Sequence, residues 1–481
     1  MASVDGLISG MSTTDTINQL MKIEAAPQTA LKTKVATANK VVSAYQSVNS
    51  RLSSVATAAK ALGSSDTWGG MKATSTSTAA AVSAKPGATA GSLTFRVDSL
   101  ATTHTVTYSD ADKSVASLSA TVLSGDTLKI KLADGTDKDL TFTTDKSLQA
   151  VVSKINETSN AAYKASAVQV APGKYSLQLT AKTSGGASTF PPPTGIDASI
   201  LGAGNTTIAG ANAKLTVGTT TPYSIESATN TFADVLPGVT VTAAKLQAAA
   251  DPAVTIDVTA DAEGIAAKVQ ALVDNANVAL SEIASQSKIK TGEVAAGPLV
   301  GDSMMRQLSQ DILGTVTGGA AGLGSSGGTA SFTEVGVSVD RSGKLTFDKS
   351  KFLDAYKADP ARTQKFFDSY TEKAGGTAGK FDPGYDTATG LGRKLESLSL
   401  IATEGVADPT DSKKPKLGTI QALIQRNNNT IKSLNDQVSE WDNRLELRKT
   451  ALQKQFSGLE VALGKMQQQS SWLAGQLAGL A

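Results

Sequence analysis

The chain has 481 residues, 45 Lys and Arg against 43 Asp and Glu, a formal net charge of +2, one histidine and no cysteine. With no basic block interleaved with aromatics, the sequence carries no nucleic-acid footprint, and the missing thiols exclude disulfides, thiol nucleophiles and Cys-ligated metals. Aromatic residues make up 5% and charged residues 18%, while the 40% hydrophobic content is largely Ala and Val. This predicts long helices and light β-domains rather than one dense globule.

The opening, MASVDGLISGMSTTDTINQLMKIE, lacks the basic start and sustained apolar run of a secretory signal. Ser12 and Asp15 form a predicted capping box, and Pro27 marks a predicted kink or break. Leu31, Val35, Ala38, Val42, Tyr45, Leu52, Val55, Ala59 and Leu62 keep helical spacing, and Gly63, Gly69 and Gly70 end the run. From Met71 to about Asp257 the pattern is β. TFRVDSL and TVTYS alternate as strands. TLKIKL and LTFT pair around Asp134-Gly135, and KASAVQV and YSLQLTAK around Pro172-Gly173. KSLQAVVSKIN reads as a short helix, PPPTG as a loop, and further strands lie at Leu215–Val217, Val239–Val241 and Val254–Thr259. Ile265 to Ile289 is a predicted helix carrying Ile265, Val269, Leu272, Val273, Leu280 and Ile283. A hairpin turns at Ser342-Gly343, and KFLDAYKA and ARTQKFF are short helices. A Gly-, Asp- and Pro-rich stretch then precedes a last helix starting near Thr419.

That last helix has an apolar residue at every seventh position: Ile424, Ile431, Val438, Leu445, Leu452, Leu459, Met466, and on to Leu473 and Leu480. Such a seam needs a partner helix. The expected partner is the chain's own first helix, with the Ile265–Ile289 helix beside it. The predicted fold class is therefore α+β and multidomain: a long antiparallel helical coiled-coil leg formed by both chain termini, with two β-rich head domains inserted between them. The boundaries follow from the pattern shifts. Residues 1–40 and 460–481 are flexible terminal helices for docking. Residues 41–72 and 265–459 form the leg, with a small mixed segment at about 294–375. The first head is 73–115 with 236–264, and the second is 116–235. The closing QQQSSWLAGQLAGLA places Trp472, Leu473, Leu477 and Leu480 on one side. A helix of that kind is marginal alone and is expected to order against partner helices. Leu7, Ile17 and Leu20 give the N-terminal segment the same character. No stretch reaches the roughly 20 apolar residues that span a bilayer.

Sites with chemistry are sparse. His104, in THTVTY, reads as a strand residue. Gly322, Gly324 and Gly327 match G-x-G-x-x-G, but a helix-like segment precedes them where a dinucleotide site has a strand, so they read as a Gly/Ser loop. Asp340, Ser342 and Gly343 lack the further acids of a calcium loop and read as a turn. Asp134, Asp137 and Asp139 read as a solvated hairpin tip. No catalytic, cofactor-binding or metal-binding residue is expected, and a secreted enzyme is disfavoured.

Six segments in order resemble one family. They are VDGLISGMSTTDTINQLMKIEAAPQ; GSLTFRVDSLATTHTVTYSD; KSLQAVVSKINETSNAAYKASAVQVAPGKYSLQLTAKTSGG with its Ile-Asn pair; SATNTFADVLPGVTVTAA with Asn230, Val235, Pro237, Gly238, Val239 and Thr240; GPLVGDSMMRQL with VGVSVDRSGKLTFDKSKF; and RLELRKTALQKQFSGLEVALGKMQQQSSWLAGQL with Gln455-Phe456. This set resembles the bacterial flagellar filament-capping family, hook-associated protein 2. DNANVAL departs from its pattern by placing Ala276 where an aromatic usually precedes Asn277. The resemblance implies a tip ring of about five or six copies with helical legs and a plate of heads, which helps exported flagellin fold and insert. It implies flagellin, hook–filament junction proteins and an export chaperone at the C-terminal region as partners. It also implies signal-less export through the flagellar type III apparatus to an extracellular position, no membrane insertion and no nucleic-acid partner. The alternatives are another axial protein, either a junction protein or a flagellin, and an extracellular adhesin using the heads.

Overall fold

The computed structural model describes residues 10, 12–110, 112–406 and 416–478. Helix α1 (Thr13–Glu24) starts at Ser12, whose Oγ accepts the Asp15 N–H at 3.3 Å and donates to the Asp15 carboxylate at 2.7 Å. After a turn at Ala25, α2 (Ala26–Leu62) begins with Pro27 in its first turn, so the predicted break is there. A short α3 (Ser65–Trp68) leads into β1 (Met71–Ser75), β2 (Ala80–Ala84), β3 (Gly91–Ser99), β4 (Thr105–Thr107), β5 (Thr127–Lys131) and β6 (Asp137–Thr141). Then come α4 (Leu148–Glu157), β7 (Tyr163–Ala171), β8 (Lys174–Ala181), β9 (Asn205–Ile208), β10 (Ala213–Val217), β11 (Tyr223–Ser227), β12 (Thr231–Leu236), β13 (Val239–Ala243) and β14 (Val254–Ala260). The rest is mainly helical: α5 (Ala262–Ser287), α6 (Ser303–Thr317), α7 (Lys349–Ala358), α8 (Pro360–Asp368), α9 (Leu391–Ala402) and α10 (Thr419–Ala478). Three small hairpins punctuate it, β15 (Ala320–Ala321) with β16 (Thr329–Ala330), β17 (Val337–Val339) with β18 (Leu345–Phe347), and β19 (Tyr370–Thr371) with β20 (Thr387–Ala388).

The chain divides into two compact units, one of residues 65–262 and one of the described residues before and after it. The β unit has two cores. One gathers Phe95, Val97, Leu215, Val217, Val239, Val241, Val254 and Ile256 from a five-stranded sheet, ordered β1-β14-β3-β10-β11, and a three-stranded sheet, β12-β13-β2. In β13 and β14 alternation buries Val239, Val241, Val254 and Ile256 and leaves the intervening Thr240, Thr242, Thr255 and Asp257 on the outer side. The other core runs from Val106 to Leu201, where α4 places Leu148, Val151 and Ile155 among Leu177, Leu179 and Tyr163. The head boundaries drawn from sequence need correction. Residues 205–235 do not all belong to the second head, because β10 pairs with β3 and β11, while β12 pairs with β13. The second core, in turn, begins at Val106. Backbone pairing between strands far apart in sequence decides this, and a local pattern does not show it.

Several motif residues have identifiable work. The Asn156 side chain donates to the Ala165 carbonyl at 2.8 Å and accepts the Ala165 N–H at 2.9 Å. Its amide therefore behaves as one residue of an extra strand on the outer edge of β7. In the helical unit Asn277 does the same for Leu345 of β18, at 2.9 and 2.8 Å. Asn230 Oδ1 accepts the Ala101 N–H at 2.7 Å. Gly238 has φ +80°, and a Cβ there would lie 3.0 Å from Ala88, so the Pro237-Gly238 turn needs glycine for both reasons.

In the helical unit, α2 and α10 run antiparallel. Glu24 in α1 pairs with Arg448 at 2.9 Å, Gln28 bonds to Asp442, and Arg426 acts on Tyr45, so rising numbers on one strand of the pair meet falling numbers on the other. α9 packs closely along the C-terminal half of α2, a neighbour that the sequence did not show. Its buried face, with Leu391, Leu395, Ser399 and Ala402, lay hidden behind a Gly- and Asp-rich approach. Gly392 allows this approach, since a Cβ would meet the Ala59 carbonyl at 3.4 Å and the Phe367 carbonyl at 2.8 Å. Arg393 joins the elements: it bonds the Gly63 carbonyl at 2.5 Å and Glu396 at 2.9 Å, with its guanidinium 4.8 Å from the Phe381 ring centre.

Candidate functional site

The candidate site is the helical pair made by the two ends of the chain. α10 has 60 residues, about 90 Å of helix. Its packed face holds Ile424, Ile431, Val438 and Leu445, all half-buried, and Leu452, which is 7% exposed. On α2, Leu31, Val35 and Ala38 are half-buried, and Val42, Tyr45, Val48, Leu52 and Val55 are buried. Each fully buried side chain of this size contributes about 1.5–3 kcal/mol. Beyond Leu452 the packed face passes to Phe456, Glu460 and Leu463, while Leu459 and Met466 are 50% and 59% exposed. The cause is geometric. A seven-residue step lags a straight 3.6-residue helix by ~20° per heptad, so a stripe of sevenths rotates off the contact face. The later spacing of four, four and three follows the helix itself.

The remaining predicted docking residues divide. Ile17 is buried, and Leu20 is exposed. Trp472, Leu473 and Leu477 are exposed, with every described residue from Lys465 to Ala478. Leu7 and Leu480 lie outside the described residues. On α1 and α10 sequence reasoning missed three more exposed large apolar residues among the described ones, Ile23, Leu447 and Val461. Leu447 stands two places after a seam residue, and that offset is the signal that was available.

A polar contact ties α2 to the start of α6. The Tyr45 hydroxyl donates to Asp302, whose other oxygen caps α6 by accepting the Met304 and Met305 N–H groups at 2.8 and 3.1 Å. Burial, with the Asp302 carboxylate adding to it, pushes the Tyr45 phenol well above its usual range. Arg444 lies 4.8 Å over the Trp441 ring.

The sequence-level chemical candidates have structural roles. His104 is buried, edge-on to Phe190 with ring centres 4.8 Å apart. Gly322 and Gly327 take positive φ in the loop between β15 and β16, and a Cβ on Gly324 would lie 2.7 Å from the Thr329 carbonyl. Asp340 Oδ1 accepts the Ser342 and Lys344 N–H groups at 2.8 and 2.9 Å and the Ser342 hydroxyl at 2.6 Å, which holds its carboxyl below the ordinary range. Asp137 pairs with Lys131 at 2.7 Å and Asp139 with Lys129 at 3.7 Å, while Asp134 Oδ1 accepts the Thr136 N–H at 2.9 Å. Among the described residues no group of three acidic or imidazole side chains could hold a metal ion. None of the described helices is long and apolar enough to cross a membrane.

Comparison with known proteins agrees with this architecture. The family description "Flagellar hook-associated protein 2 C-terminus" matches residues 210–468, and the corresponding N-terminus description matches residues 9–104. The flagellar hook-associated protein 2 of Escherichia coli K12 is 24% identical over 501 residues, 99% of this chain and 98% of that one. The Salmonella typhimurium protein of the same name is 28% identical over 376 residues, 73% and 69% of the two chains. The lateral flagellar hook-associated protein 2 of Vibrio parahaemolyticus is 24% identical over 251 residues, and the match spans about half of each chain, 52% and 48%. The D1-D2-D3 crystal structure of the E. coli flagellar cap protein FliD shares the fold, with a TM-score of 0.56 and 23% identity over 80% of this chain and 99% of that one. With helical ends, a twin-cored β middle and family matches at both ends, the chain belongs to the flagellar hook-associated protein 2 family.

Proposed function

We propose that this chain is a structural cap at the distal end of the bacterial flagellar filament, where it promotes folding and insertion of exported flagellin and prevents its loss as monomer. The observation that carries the reading is the match of both family segments, at residues 9–104 and 210–468. The exposed run of α10 from Lys465, with Trp472, Leu473 and Leu477, is the surface that docks on partner helices at the tip. The cap works as a closed ring of about five or six copies, outside the cell, after export through the flagellar type III apparatus. Flagellin, the hook–filament junction proteins and an export chaperone acting on the C-terminal region are its partners, and it is not an enzyme.

The test is an add-back assay. Cells without the gene are expected to leak flagellin monomer, and added purified protein should restore filaments. A chain ending at Gly464 should unfold like the full chain yet fail to restore them, because the residues it lacks bury nothing within the described chain. Normal filaments in cells without the protein would remove the capping role.

A further inference from the structure

The Gly218 N–H donates to the Thr94 carbonyl at 3.0 Å, next to the register pairs Val217–Phe95 and Thr216–Arg96. In β10 the even positions therefore bond to β3 and the odd ones to β11. Opposite Val217, Leu215 and Ala213, the backbones of Tyr223, Ile225 and Ser227 bond back to β10. Those of Ser224 and Glu226 turn outward, and β11 is the last strand of its sheet. Among the described residues nothing bonds to these outward groups. The amides of Asn156 and Asn277 close the edges of β7 and β18, and β11 has no such amide. The two faces of this edge differ. On the core side Ile225 is half-buried against the cluster of Leu215 and Val217, and Tyr223 is 56% exposed, so the core runs out to an apolar rim. On the outer side Glu226 is exposed and accepts the Asn212 amide at 3.1 Å. Lys214 stands opposite it in register, yet Glu226 forms no ion pair within the described chain.

We propose that β11 takes up an extended segment of a polypeptide that has not yet folded, paired antiparallel as a further strand of the sheet. A folded partner has its backbone groups already paired, so the free groups of Ser224 and Glu226 select a chain whose own are still open. Side chains of the added strand alternate between the faces. Apolar ones cover Tyr223 and Ile225, and a lysine or arginine stands opposite Glu226. The source of the segment rests on the cap reading, which makes it exported flagellin before it folds.

The probe is a labelled, end-capped peptide of about seven residues, long enough to pair along a strand of ordinary length, alternating valine and lysine. It is titrated with the full chain and read by fluorescence anisotropy. In the proposed register its lysine amides face β11 and its valine amides face away. N-methylation of the lysine amides should weaken binding at least about tenfold, and N-methylation of the valine amides should not. Ser224→Pro with Glu226→Pro removes the outward N–H groups and keeps the bonds to β10. This variant should lose as much, with circular dichroism showing that the fold is kept. Glu226→Lys should reverse the preference for this peptide over one alternating valine and glutamate, and high salt should shrink that preference. Equal binding of the two methylated peptides, or no binding by the wild type, overturns the inference and leaves the cap reading standing. So does loss of self-association by the proline variant in sedimentation, which makes a second copy the occupant. Peptide binding by a wild type that fails to restore filaments keeps the strand edge and overturns flagellin as its source, together with the cap reading.

Discussion

Replacing Asn156 by Ala removes both amide bonds to Ala165 and leaves two backbone groups on the β7 edge without their partner. The expected cost is about 1–3 kcal/mol, read from urea unfolding of the β unit. Asn156→Asp keeps the acceptor and loses the donor, and should fall between. Asp368 behaves in the opposite sense to the surface acids. Burial pushes its carboxyl above the ordinary range, against the pull of Gln364 and Arg393. A folded-state pKa above the unfolded one makes the group's contribution favourable at low pH and unfavourable as pH rises through the folded value. Asp368→Asn should therefore stabilise the helical unit at neutral pH, and the gain should disappear near the unfolded carboxylate value of about 3.9. Urea midpoints at the two pH values check it, and an unchanged difference would show that burial does not set this carboxyl. At this scale the sequence was readable only where a residue belonged to a motif. Asn156, Asn230 and Gly238 could be singled out. Arg393, in LGRKLES, could not, because its partners Gly63 and Phe381 are distant in sequence.

Among the elements, α10 separates two residues that the sequence treats alike. Leu452 is 7% exposed and Leu459 is 50% exposed, although both stand on the seven-residue seam. Leu452→Asp puts a charge into apolar packing and should cost several kcal/mol, about 3–5. Leu459→Asp should stay within about 0.5 kcal/mol. Thermal unfolding of the full chain decides this, and equal losses at both positions would place Leu459 in the packed face after all. Helix period and caps were legible for α1, α2, α4, α5 and α10, because their apolar stripes are long or their N-caps are explicit. The turn of the contact face past Leu452 was not, because a count by sevens assumes a supercoil that the rest of the helix does not sustain.

For the whole molecule, the patterning read from sequence turns β at Met71 and leaves it at about Asp257, whereas the compact β unit spans residues 65–262. The split inside the β unit was misread because strands far apart in the chain share a sheet. Since residues 65–262 contain both β cores, that fragment should fold alone as a monomer with a cooperative urea transition. A fragment that stays unfolded would mean its cores depend on the helices. The amides of Asn156 and Asn277 have a consequence at this scale as well. Each closes a strand edge with a side chain of the same molecule, so a passing strand finds no free ladder there. β-rich chains crowded together are prone to cross-β stacking at open edges. Here fibre growth from β7 or β18 must first displace a bonded amide, and loss of that amide would show as turbidity on standing before it showed in any assay of motility.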